Sequence, residues 1–138
     1  MKPCYWPVEQ LPGLSQENAN ALKKIGIHNT QQLLERANSK DSKQQLANQL
    51  GLKLQYVNKW TALADLARLP SVGCVYCGLL LHSGVGSLLQ LSQTPAYQLH
   101  ARILRFQVAT MQRKDLCPPV ELVQKWIQQG RSLVRSSS

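Results

Sequence analysis

The chain has 138 residues, with 16 Lys and Arg against 7 Asp and Glu, and a formal net charge of +9. Its 43% apolar and 17% charged content is that of a folded domain and excludes disorder; at 6% aromatic content it also lacks the rings for a base-stacking wall. The charge points to an acidic partner (nucleic acid, anionic lipid or an acidic protein) without choosing among them.

Residues 1–7 read as an N-terminal arm with no apolar run of signal-peptide length. Four cysteines are too few for a disulfide scaffold, so a reduced, cytoplasmic setting is the expectation. Leu11-Pro12-Gly13 predicts a tight turn, followed by a helix over about Ser15 to Ile25 with Ala19 and Leu22 inward. Gly26 should end that helix in the left-handed conformation, Ile27 should fold back over it, and Asn29 or Thr30 should start a second helix that buries Leu33 and Leu34. Asp41 is the expected cap of a third helix, which Gly51 closes. A longer helix over about Lys53 to Arg68 then carries Val57, Trp60, Ala64 and Ala67 on one face.

The segment from Leu69 repeats the segment from Leu11. Leu11, Pro12, Leu22, Gly26, Gln32 and Leu33 align without a gap on Leu69, Pro70, Leu80, Gly84, Gln90 and Leu91. Leu14, Ile27 and Asn29 fall on Val72, Val85 and Ser87. Leu69 to Ala101 holds no Asp, Glu, Lys or Arg, but Gly73, Gly78, Gly84 and Gly86 break it into pieces too short for a membrane span. Thr94-Pro95 starts a helix to about Lys114, and Cys117-Pro118-Pro119 interrupts it. A last helix ends at Gly130, with 131–138 as a frayed tail. With no alternating hairpin pattern, the fold class is all-α. Residues 8–116 form one domain, with repeats near 11–34 and 69–91 joined by a connector helix, and 117–130 form a C-terminal helix.

The Leu-Pro-Gly-Leu-Ser run with Ala19, Leu22, Gly26 and Ile27 resembles the helix-hairpin-helix motif. Ser71-Val72-Gly73, Cys77, Leu80, Gly84 and Val85 look like a degenerate second copy, and the pair resembles the tandem helix-hairpin-helix domain. The order of repeat, Trp60-bearing connector, Ala64-Asp65-Leu66 and second repeat also resembles a small bacterial family of unknown function that is frequent in cyanobacteria. That resemblance covers Val8 to Arg113 and leaves the last helix outside. The helix-hairpin-helix resemblance implies backbone binding of DNA, because a Gly-apolar-Gly hairpin presents main-chain N–H groups to phosphate at a helix N-terminus. Both hairpins depart from that pattern: Ser15 and Ser71 each replace one glycine, and Glu17 sits in the first turn of copy one. Gly13 and Gly73 are therefore either fold-making turns or auxiliary amide contacts.

The remaining candidates are cations. Arg102, Arg105 and Arg113 fall on one helical stripe, with Lys114 beside them, and residues 69–138 carry seven cations against two anions. Such a stripe is either a solvated face or a phosphate contact surface without base readout. Cys74-Val75-Tyr76-Cys77 lacks both a second metal-ligand pair and a βαβ context. Cys77 also stands where copy one has Ala19, so it reads as a small core residue. No metal, cofactor or catalytic motif is expected. The sequence thus describes a non-catalytic module that binds nucleic acid, or alternatively an adaptor for an acidic protein partner; the uncharged Leu69–Ala101 segment is either the middle of the core or, where it stays exposed, a protein-partner or self-association surface.

Overall fold

Four of the short helices are started by a polar residue that caps their first turn. In the computed structural model, which describes residues 2–111 and 117–136, a 3-10 turn over Val8–Gln10 leads into α1 (Gln16–Lys24), whose N-cap Ser15 accepts from Asn18 N. Asn29 caps α2 (Thr30–Arg36) by accepting from Gln32 N, and Ser87 caps α6 (Leu88–Gln93) by accepting from Gln90 N. Helix α3 (Lys40–Leu50) starts two residues earlier than expected. Ser39, not Asp41, is its N-cap, and Ser39 and Ser42 satisfy each other's backbone N–H groups in a capping box. Helices α4 (Leu54–Leu66), α5 (Gly73–His82), α7 (Ala96–Met111) and α8 (Val120–Ser136) complete an all-helical fold, with no strand among the described residues.

The two aligned segments share their local geometry. Gly26 and Gly84 adopt φ of +90° and +94°. Ile27 N donates to Leu22 O at 2.9 Å, and Val85 N donates to Leu80 O at 3.0 Å, so each apolar residue folds over the helix it follows. Gln32 Oε1 accepts from His28 N at 2.7 Å, and Gln90 Oε1 accepts from Gly86 N at 2.9 Å. Identical glutamines at equivalent positions thus brace equivalent loops. The copies differ in how the first amide of their second helix is satisfied. Thr30 N donates to Trp6 O at 2.8 Å, whereas Leu88 N donates to the Asp65 carboxylate at 2.8 Å, which also pairs with Arg68.

That difference gives the N-terminal arm a structural task. Cys4 N donates to Arg68 O at 2.7 Å, Trp6 Nε1 donates to Ala67 O at 2.7 Å, and Trp6 N donates to Thr30 Oγ1 at 3.0 Å. The arm therefore ties the start of α2 to the end of α4 rather than standing apart from the domain. Val57, Trp60, Ala64 and Ala67 are buried in the core, as the connector-helix pattern predicts, and Leu63 joins them.

The C-terminal end departs most from the sequence expectation. Gly130 does not end α8; it lies buried inside it, and 131–136 continue the helix with Leu133 in the core. Val123, Trp126, Ile127, Gly130 and Leu133 form one buried stripe against α6 and α7. Trp126 Nε1 donates to Ser71 O at 3.2 Å, its ring meets Tyr76 at 5.0 Å, and Arg131 Nε donates to Ser92 O at 3.0 Å. The packing of α8 on α6 and α7 carries the helix through this glycine, and a local punctuation rule cannot anticipate that packing.

Candidate nucleic-acid interface

Gly13 sits at the exposed tip of the first hairpin with φ of +79°, a conformation L side chains rarely adopt. Helix α4 brings Lys59 beside it: the ammonium nitrogen lies 3.4 Å from where a Gly13 Cβ would stand. Pro12, Gly13 and Lys59 line a small pocket of about 80 Å³ with Leu63, Gly78, Leu81 and His82. Gly78 allows this approach, since a Cβ there would meet Pro12 at 3.3 Å. The pocket thus joins the first hairpin to the C-terminal end of α5.

That end of α5 also meets the basic helix. His82 stacks on Phe106 of α7 at 5.3 Å with the rings 4° from parallel. Arg102, one turn earlier on α7, places its Nη1 3.8 Å from the Cβ position of Gly84, over the C-terminus of α5, where a cation complements the helix dipole. Arg105 is exposed on the same helix. The structure therefore brings Gly13 and the start of the arginine stripe to the same end of α5. Lys59 and His82, which sequence reasoning had not selected, stand between them. Only the residue type of Lys59 was visible in sequence; its placement depends on the α4–α5 packing.

Gly73 lies elsewhere. It begins α5, about 15 Å along that ten-residue helix from its basic end. It is buried, its N–H donates to Leu69 O at 2.9 Å, and an added Cβ would meet Trp6 at 3.2 Å. An amide so engaged and covered is a fold-making turn rather than a phosphate contact. Arg113 and Lys114 lie outside the described residues. Lys23 is engaged by Glu9 at 3.1 Å, and the Glu9 carboxyl is held below the usual carboxylate range by a backbone hydrogen bond and by Lys23.

Among the described residues, no group of three or more His, Cys, Asp or Glu side chains could hold a metal ion, and no helix is long and apolar enough to cross a membrane. The uncharged Leu69–Ala101 segment is divided among α5, a turn, α6 and the start of α7. Val75, Leu89 and Tyr97 are its exposed large apolar side chains.

The family model described as a domain of unknown function, DUF4332, matches residues 12–133, nearly the whole helical assembly. The chain belongs to that family. The match extends through Leu133, so α8 is part of the DUF4332 domain rather than an appendage, in accord with its buried Trp126 and Gly130. No curated protein and no solved structure gives a significant match.

Proposed function

We propose that this DUF4332 chain is a non-catalytic module that binds the phosphate backbone of nucleic acid, and that its two Leu-Pro segments are degenerate helix-hairpin-helix units. The observation that carries this reading is the Gly13 turn, exposed and flanked by Lys59, with His82 and Arg102 at the same end of α5. A side-chain-free turn admits a phosphate, and a lysine ammonium supplies its counter-charge without reading sequence. The matched geometry at Gly26 and Gly84 supports descent of both segments from one motif. Only the first keeps an open hairpin. The surface departs from a full clamp at Glu17, which repels phosphate from the first turn of α1.

Fluorescence anisotropy with random-sequence DNA and RNA at two salt concentrations tests this reading. Binding should fall steeply with salt, by about 0.9 in the log–log slope per phosphate contact. Lys59→Glu and Arg102→Glu should each weaken it roughly tenfold, whereas Lys125→Glu on α8 should not. Absence of binding at low salt overturns the proposal in favour of an acidic protein partner. Equal loss for all three variants would replace the assigned surface with diffuse charge attraction.

A further inference from the structure

Cys74 and Cys77 lie one turn apart at the start of α5. The i,i+3 spacing in a helix sets their Cα atoms about 5 Å apart, inside the range that a disulfide spans. Cys74 is partly exposed, while Cys77 is wholly buried. Helix α5 has no side-chain N-cap and no acidic residue in its first turn, so no carboxylate of that turn opposes a thiolate at Cys74.

We propose that Cys74 and Cys77 are a reversible dithiol–disulfide pair, with Cys74 the entry thiol and Cys77 the resolving thiol toward low-molecular-weight disulfides. The Cys74 thiolate attacks one sulfur of the small disulfide; a Cys74 mixed disulfide forms and the other half leaves as a thiolate. The Cys77 thiol then gives up its proton to the leaving thiolate and attacks the Cys74 sulfur. That step closes the Cys74–Cys77 bond and releases the second small thiol. Two protein thiols are oxidised, and one small disulfide is reduced to two thiols.

The division of labour follows from the surroundings. Cys74 is the partly exposed thiol, and the neighbouring Cys77 lowers its pKa; Cys74 and burial together raise that of Cys77, so the accessible sulfur is the one that ionises. Cys117 is a poorer nucleophile because burial pushes its thiol up. Helical i,i+3 side chains stand somewhat wider apart at Cβ than a relaxed disulfide prefers. The bond is therefore strained and readily reduced, as suits a reversible pair rather than a cross-link.

The test is incubation of the full chain with oxidised glutathione, alkylation of the remaining thiols and peptide mass mapping. The native chain should yield a Cys74–Cys77 disulfide that dithiothreitol reverses. Cys77→Ala, which installs the residue that Ala19 provides in the first copy, should stop at a glutathione adduct on Cys74. Cys74→Ala should leave Cys77 unmodified. Circular dichroism of both variants checks that the helices persist. The proposal is overturned if the native chain retains both thiols, if adducts settle on Cys4 or Cys117 instead, or if Cys77 reacts as readily without Cys74.

Discussion

Replacing Gly130 with alanine should stabilise the protein, although the glycine is buried at a helix–helix contact. A Cβ built at Gly130 lies 3.6 Å from Leu91 Cδ2, 3.7 Å from Leu91 Cγ and 3.8 Å from Leu88 O, all ordinary van der Waals separations. The methyl therefore fits without movement. Alanine also removes the conformational freedom that glycine brings to the middle of α8, worth about 0.8–1 kcal/mol. For a chain of 138 residues, the average unfolding entropy converts about 1 kcal/mol into a rise of about 3 °C in melting temperature. Gly130→Leu has no such room: its branch would press on Leu91 and the Leu88 carbonyl and should lower stability by about 2 kcal/mol. Thermal denaturation followed by circular dichroism at 222 nm, a wavelength that reads helix, ranks the three proteins. A melting temperature for Gly130→Ala below that of the native chain would refute the α6–α8 packing described above.

Trp6→Ala should destabilise by about 2–3 kcal/mol, because it removes the indole hydrogen bond to Ala67 O and the cover over Gly73, an effect measurable in urea titration. Gly73→Ala should lose about 1–2 kcal/mol through its φ of +52° alone, and Gly26→Ala a similar amount with no steric contribution, since nothing lies within 4 Å of its Cβ position. Asp65→Ala should cost about 2 kcal/mol by unpairing Leu88 N and Arg68, with hydrogen exchange at the start of α6 accelerating more than at the start of α2. The reaction of Cys74 with oxidised glutathione should be lost as pH falls through its lowered pKa and should level off at a lower pH than for an ordinary cysteine, as a stopped pH-rate series would show.

The candidate site was legible in part. Gly13 is marked in sequence by its place after Leu-Pro, and Arg102 by its helical spacing from Arg105. Lys59 carries no such mark, because its value lies in tertiary packing: Pro12 on Gly78 sets the hairpin against α5, and α4, packed on α5, puts Lys59 beside Gly13. Gly73 misleads for the converse reason: its turn chemistry is the same whether it faces solvent or the Trp6 indole.

What the sequence determined by itself is local. Ser15, Asn29 and Ser87 start helices, Gly26, Gly51 and Gly84 end them in the left-handed region, and Leu22, Trp60 and Leu80 face inward. These follow from caps, φ preferences and hydrophobic period, which act within a few residues. Tertiary structure decided the rest. Gly130 continues a helix because α6 comes close to it, and residues 131–136 are ordered because Leu133 and Arg131 find partners on the core. The arm belongs to the fold because Trp6 satisfies an amide that Asp65 satisfies in the other copy. Each of these depends on contacts between residues far apart in the chain, whose free energy overrides the local preference at the position concerned.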